Sequence, residues 1–229
     1  MSPPEVLPAA AGATPLDLAR AGSAEPCTTR LRKLDPMRAH GAWVLLCASV
    51  GAGALVATQD ANQRALLVGT GVVGGYLLTS AIFVGIRRRL RQAALGAGLT
   101  LLAPIGALWL DPSRAFLVPA AIAAMLSIVA LGAVRWRGFL SRSAIFTGTG
   151  ALVLAAPVAA VGGGATPMQA AVLYGLLWPC FTWRTLRVAS SLKNGGRWNG
   201  KELRSRGLRE AGWAAAWALL VSATARFVA

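Results

Sequence analysis

Several polar and aromatic residues suited to binding a small molecule occur beside apolar stretches of this chain. His40, the only histidine, stands in the segment Arg38-Ala39-His40-Gly41-Ala42-Trp43, directly before such a stretch. A histidine at this position either makes ordinary hydrogen bonds to its surroundings or contacts a ligand, and it could also serve as a general base. The sequence leaves these alternatives open.

Other candidates lie further along the chain. Tyr76 and Tyr174 each sit inside an apolar stretch, where a tyrosine either packs in a core with one hydrogen bond or lines a ligand cavity. Arg184 and Arg187 follow a later apolar stretch, and guanidinium groups are good ligands for phosphate and carboxylate. The candidate ligand-binding residues are therefore His40, Trp43, Arg38, Arg184, Arg187, Tyr76 and Tyr174.

Acidic residues are absent from the apolar stretches. All eight lie outside them: Glu5, Asp17, Glu25, Asp35, Asp60, Asp111, Glu202 and Glu210. This distribution argues against a proton relay or a carboxylate cation site inside the apolar region. One histidine cannot supply both axial ligands of a bis-histidine haem, and the three cysteines show no C-x-x-C spacing. We therefore assign no catalytic residue, no metal and no cofactor.

The apolar stretches are long enough to cross a membrane. Residues 65–86 contain no charged residue, and as a helix they would extend about 33 Å. That length exceeds the bilayer core of about 30 Å. The sequence predicts seven spans, at about Trp43 to Thr58, Ala65 to Ile86, Ala93 to Leu110, Ala115 to Val134, Ser143 to Val161, Met168 to Trp183 and Ala211 to Val228.

The basic residues predict how these spans are oriented. With the N-terminus inside, 20 of the 23 lysines and arginines fall on the cytoplasmic side, and only Arg64, Arg114 and Arg226 fall outside. An excess of positive charge is typical of cytoplasmic loops. We therefore predict an all-α, polytopic transmembrane bundle of seven spans, with the N-terminus in the cytoplasm and the C-terminus outside.

Composition supports a membrane protein rather than a nucleic-acid-binding one. The chain is 55% hydrophobic and 14% charged, and its net charge of +15 is divided into short runs between apolar stretches. A nucleic-acid interface would need a basic face on a soluble domain. Residues 1–36, rich in proline, alanine and glycine, are predicted to be a disordered cytoplasmic tail, and residues 37–229 the transmembrane domain. The expected location is the inner (plasma) membrane of a bacterium.

Two short motifs resemble a known family. His40-Gly41-Ala42-Trp43 opens the first predicted span, and Trp183-Arg184 with Arg187 closes the sixth. These motifs are similar to those of the YwiC-like family of bacterial integral membrane proteins, over about residues 36–228. The resemblance implies a membrane location and a similar number of spans. That family has no assigned biochemical activity, so the resemblance names no reaction.

Three functional hypotheses follow from these residues. The first is a non-enzymatic protein that binds or transports a small anionic or amphipathic molecule near its cytoplasmic face, where it also contacts anionic lipid headgroups. In this hypothesis Arg38, His40, Arg184 and the arginines at 87–91 form an anion site; the alternative is that they only set topology and touch lipid. The second is an accessory subunit of a membrane complex, or a homo-oligomer. The third is an intramembrane enzyme that acts on a lipid-linked substrate through His40.

Overall fold

The structure, a computed structural model, describes residues 40–58, 61–111, 113–193 and 200–228. The predicted tail, Arg38 and residues 194–199 lie outside this described part. Within it no strand occurs, and the chain is almost entirely helical, which confirms the all-α prediction. The helices are α1 (His40–Val56), α2 (Asn62–Val84), α3 (Leu90–Leu110), α4 (Leu117–Arg137), α5 (Arg142–Val153), α6 (Ala155–Gly162), α7 (Pro167–Lys193) and α8 (Gly200–Arg226).

The helices form seven rods because α5 and α6 continue one another. Their junction is Leu154, three residues before Pro157. Proline has no N–H to donate to the carbonyl of the residue four positions earlier, here Val153, so the rod is interrupted at this point. Each rod overlaps one of the seven predicted spans.

Four rods are long and apolar enough to cross a membrane, among the residues that the structure describes. They are Asn62–Val84, Ile86–Leu110, Leu117–Arg137 and Arg142–Gly162; the second includes the 3₁₀ turn Ile86–Arg89. The first rod is apolar but shorter, with 17 residues in α1. Helices α7 and α8 have 27 residues each, but they carry charged residues within the helix. These four helices support a membrane protein.

Neighbouring rods are related by contacts that fix their directions. Helix α1 is antiparallel to α2, because Trp43 contacts Tyr76 and Val50 contacts Gly69. It is parallel to α6, because Gly53 lies against Ala156 and Ala57 against Gly163. Helix α7 is antiparallel to α8, because Arg184 contacts Glu210 and Leu176 contacts Trp217. One end of the bundle, which we call the basic end, therefore collects the start of α1, the end of α2 and the end of α7. Arg64 and Asp111 lie at the opposite end.

Glycines end two of the rods just beside arginines. Gly85 follows α2 with a φ of 109°, and Gly138 follows α4 with a φ of 86°. Backbone with positive φ suits glycine, which has no Cβ to clash. Ser141 then begins α5, where its hydroxyl oxygen accepts a hydrogen bond from the Ala144 N–H at 3.2 Å. Two glycines and a serine therefore end and begin helices at the basic end.

The short helix α6 occupies the centre of the bundle. Ala155 to Ala160 are buried without exception, and they contribute to both apolar cores. One core joins α1, α5, α6, α7 and α8 around Leu173, Leu177 and Phe181. The other joins α2, α3, α4 and α6 around Val68 and Phe116. Small alanine side chains allow α6 to contact neighbours on every side.

Glycines also allow two rods to approach closely. A Cβ on Gly96 of α3 would lie 2.8 Å from the carbonyl oxygen of Gly74 on α2, and Gly71 rests against Pro104. Gly71 and Gly96 therefore pack between α2 and α3. Gly74, and not Gly75, makes the second close approach from α2. Gly71 and Gly74 are three positions apart and face α3 together.

Candidate functional site

Arg184 lies at the basic end of α7 and is held by two residues of α8. Its Nε and Nη2 donate to the two carboxylate oxygens of Glu210, at 2.8 and 2.6 Å. Its guanidinium also stacks on the Trp213 ring, 4.1 Å from the centroid. Because the bond is bidentate and 27% of the arginine side chain is exposed, Glu210 largely neutralises this guanidinium.

Arg187 differs from Arg184 in its surroundings. It lies less than one turn further along α7 and is exposed, with its guanidinium 5.6 Å from the centroid of the Trp183 ring. The tryptophan is 57% exposed. Among the residues that the structure describes, Arg187 has no carboxylate partner. Arg187 and Trp183 therefore present a cation and an indole to the surroundings, the combination suited to a membrane–water interface.

Trp43 and Tyr76 meet between α1 and α2. Their rings are 5.0 Å apart and nearly perpendicular, at 81°, which is a favourable edge-to-face contact. The Tyr76 hydroxyl lies near the side chain of Ser80, which is buried one turn further along α2. The structure brings these two candidates together, but the contact packs one helix against another and does not surround a cavity.

Tyr174 has a similar packing role between α5 and α7. Its ring stacks on Trp178 with centroids 5.2 Å apart, and the Trp178 indole N–H donates to the carbonyl oxygen of Phe146 at 3.3 Å. Gly150 lies against both rings, close enough that a Cβ there would come within 3.3 Å of the Tyr174 hydroxyl. Of the two alternatives from the sequence, this geometry favours helix packing with a polar anchor.

His40 is the first residue of α1, so the helix begins three residues earlier than the predicted span. Its backbone lies at the basic end and in helical register with Val44 and Cys47. The candidate residues thus fall into separate groups: Trp43 with Tyr76, Tyr174 with Trp178, and Arg184 near Arg187. The structure does not gather the described candidates around one cavity.

The sequence does not reveal the partners of Arg184. Glu210 lies outside the apolar stretches, and Trp213 lies near the start of the seventh predicted span. The signal that could have found them is helical phase, since residues 210 and 213 are three apart and share a face of α8. Only the antiparallel packing of α7 and α8 brings that face to Arg184.

A second ion pair, also missed, lies at the opposite end. Arg64 in the first turn of α2 is only 5% exposed; its Nη1 donates to Asp111 and its Nη2 to the carbonyl oxygen of Ser113. The Phe116 ring lies 5.8 Å from the guanidinium carbon. The Nε of Arg64 is buried and has no hydrogen-bond partner among the described residues. This arrangement ties α2 to the segment that joins α3 and α4.

A cleft of about 260 Å³ lies beside this ion pair, lined by Ala61, Gln63, Arg64, Leu110 and Asp111. In the described part of the chain, no group of three histidine, cysteine or acidic side chains is close enough to hold a metal ion.

The chain matches no family model, no curated protein and no solved structure. The role of these residue groups therefore follows from their geometry alone.

Proposed function

We propose that the chain crosses the inner membrane of a bacterium seven times, with its N-terminus in the cytoplasm and its C-terminus outside. Two observations support this proposal. Each of the seven rods overlaps a predicted span, and arginines are concentrated at one end of the bundle, at Arg87 to Arg89, at Arg135 to Arg142 and at Arg184 to Arg187. Positive charge of this kind is retained on the cytoplasmic side.

Cysteine labelling tests the orientation. In protein whose three native cysteines are replaced by serine, Ser205→Cys at the basic end should react with a membrane-impermeant maleimide only after cells are opened. Arg114→Cys at the opposite end should react in intact cells. Both residues are exposed, so access to the thiol depends on the side of the membrane. Labelling of Ser205→Cys in intact cells would contradict the proposed orientation.

We further propose that the protein is not an enzyme and binds or transports a small anionic or amphipathic molecule at its cytoplasmic face. The observation that carries this proposal is the exposed pair of Arg187 and Trp183, close to the half-buried Arg184. A guanidinium attracts a phosphate or carboxylate group, and the indole ring packs against an apolar chain at the interface. Membership of the YwiC-like family is part of this proposal. The resemblance does not conflict with the proposed function, because that family has no assigned biochemical activity.

Exchanging single charges tests the binding surface. Arg187→Gln should weaken binding of short-chain phosphatidylglycerol to the detergent-solubilised protein by about fivefold, since one basic residue near a membrane surface contributes about 1 kcal/mol. Glu210→Gln should strengthen binding by a similar factor, because it releases Arg184 from its carboxylate. Titration of tryptophan fluorescence measures both effects.

Arg137→Gln is the matched control. Arg137 is an exposed arginine at the end of α4, and its loss removes the same charge from the same end of the bundle. Unlike Arg187, its guanidinium lies over no aromatic ring of the described residues. We expect this variant to bind like the wild type. Equal weakening by Arg137→Gln and Arg187→Gln would show that only the overall charge matters, which would overturn the proposed site.

A further inference from the structure

The cleft beside Arg64 and Asp111 lies where two helix ends meet. Its lining combines the start of α2, at Ala61, Gln63 and Arg64, with the end of α3, at Leu110 and Asp111. The two helices are antiparallel, so the N-terminus of α2 and the C-terminus of α3 border the same space. A helix carries a partial positive charge at its N-terminus and a partial negative charge at its C-terminus. The cleft therefore lies between two helix ends of opposite sign.

The two charged side chains have the same signs as the helix ends that carry them. Arg64 is in the first turn of α2, and Asp111 directly follows α3. Each placement is unfavourable for its own helix, because anions suit a helix N-terminus and cations suit a C-terminus. The ion pair compensates for this cost. It leaves the cleft with a positive side on α2 and a negative side on α3.

Hydrogen-bond donors on the positive side are only partly used. Arg64 is 5% exposed, and both of its Nη atoms are bonded, but its buried Nε has no partner among the described residues. No side chain in the described part of the chain caps α2, and the first N–H groups of a helix have no acceptor within it. A buried donor without an acceptor is unfavourable. A carboxylate that entered the cleft would supply acceptors at this side.

The negative side can accept further hydrogen bonds. Oδ1 of Asp111 accepts from the Ser113 N–H at 3.0 Å and Oδ2 accepts from Arg64, but 51% of the aspartate side chain is exposed. Each carboxylate oxygen has two lone pairs, so both can also bind an ammonium group. The charges of Arg64 and Asp111 cancel, so a simple anion or a simple cation gains little here. A molecule that carries both charges can satisfy both sides.

The volume and the remaining lining limit the size of such a molecule. A cleft of about 260 Å³ is slightly smaller than the typical ligand pocket of about 300–1,000 Å³, and Ala61 and Leu110 give it an apolar part. We propose that the cleft binds a small zwitterion, an α-amino acid with a short apolar side chain. Its carboxylate meets the N-terminus of α2 and Arg64, and its ammonium group meets Asp111. The inference goes beyond the proposed function, because this site lies at the end of the bundle opposite to Arg187.

Competition binding tests the class of ligand. Purified protein in lipid nanodiscs exposes both ends of the bundle, and scintillation proximity measures the binding of radiolabelled L-alanine. Propionate lacks the ammonium group and ethylammonium lacks the carboxylate, so each should compete about tenfold more weakly than unlabelled L-alanine. If either competed as well as alanine, the inference would be overturned. Failure of the wild type to bind alanine would also overturn it.

An added negative charge tests the position of the carboxylate. Gln63→Glu places a like charge on the positive side of the cleft and should weaken alanine binding about tenfold. The matched control is Asn62→Asp, which adds the same charge at an exposed residue outside the lining. Solvent screens that charge, so affinity should stay within about twofold of the wild type. Both variants should fold, since acidic side chains suit a helix N-terminus. Equal affinities in the two variants would contradict the proposed site.

Asp111→Asn tests the ammonium contact by itself. In this variant alanine and propionate should compete equally, because the amide lacks the charge that attracts an ammonium group. A purely structural role of Asp111 would change both affinities alike, so a retained preference for alanine would overturn the inference. The outcome is separable from the test of Arg187. If Arg187→Gln weakens lipid binding and the wild type binds no alanine, the cleft is excluded while the proposed function stands.

Discussion

Replacing Asp111 by alanine should lower the free energy of unfolding by about 3–5 kcal/mol, the cost of leaving a buried charge without its partner. Arg64 is 5% exposed, and among the described residues the Ser113 carbonyl and the Phe116 ring are the contacts that its guanidinium would keep in the variant. The free energy is measured by unfolding in mixed micelles with increasing dodecyl sulfate. Thermal unfolding in detergent provides a second measurement.

Replacing the arginine of this pair should lower the free energy of unfolding by less. Arg64→Leu leaves Asp111 unpaired, but 51% of this side chain is exposed, so water replaces the lost partner. Asp111→Asn retains an oxygen that can accept hydrogen bonds, and its effect should lie between the two. The double variant Arg64→Leu/Asp111→Ala should recover most of the stability lost in Asp111→Ala. Equal losses in Asp111→Ala and Arg64→Leu would contradict the proposed burial of the guanidinium.

The sequence contains enough information to locate the rods but not this ion pair. Arg64 and Asp111 are 47 positions apart, and nothing in their sequence context relates one to the other. Helices α2 and α3 are of similar length and are joined by Gly85 and the 3₁₀ turn Ile86–Arg89. Residues about equally distant from the middle of that connection must then meet at the other end. Hairpin geometry, rather than composition, is the signal that would have paired them.

The boundaries of α7 and α8 differ from those of their apolar parts. The sequence predicts that the sixth helix runs on through Arg184 and Arg187 and that the seventh starts after Asn199, and the structure confirms both, with α7 ending at Lys193 and α8 beginning at Gly200. Backbone hydrogen bonds satisfy themselves within a helix whether water or lipid surrounds it. A change in side-chain polarity therefore marks where an environment ends and not where a helix ends. The contact of Arg184 with Glu210 is formed in this extended region.

Candidate residues could be chosen from the sequence, but their grouping could not. Tyr76 and Tyr174 are candidates because each places an aromatic ring with a polar group inside a predicted span. Whether such a residue faces a cavity or another helix depends on the rotation of its rod about its own axis. Helices with apolar residues on all sides carry little information about that rotation. The glycines are the exception, because close approach requires them on one face only.

Gly96→Ala should be the more damaging of two alanine substitutions in α3, with a loss of about 2–3 kcal/mol in the free energy of unfolding. A Cβ at Gly96 would lie 2.6 Å from the backbone nitrogen of Leu78 and 2.8 Å from the carbonyl oxygen of Gly74. Both atoms belong to the backbone of α2, which can yield only if the whole helix moves. The added methyl group therefore separates α2 from α3 along their contact.

Gly98→Ala provides the control for this effect, two residues further along the same helix. Among the residues that the structure describes, a Cβ at Gly98 meets no atom within 4 Å, so this position packs against no other helix. Alanine there should be neutral, or stabilising by up to about 1 kcal/mol, because it reduces the flexibility of the unfolded chain. Both variants are compared in the same unfolding titration. Similar stabilities would show that α2 and α3 do not touch at Gly96, since helix propensity alone cannot distinguish two interior positions of one helix.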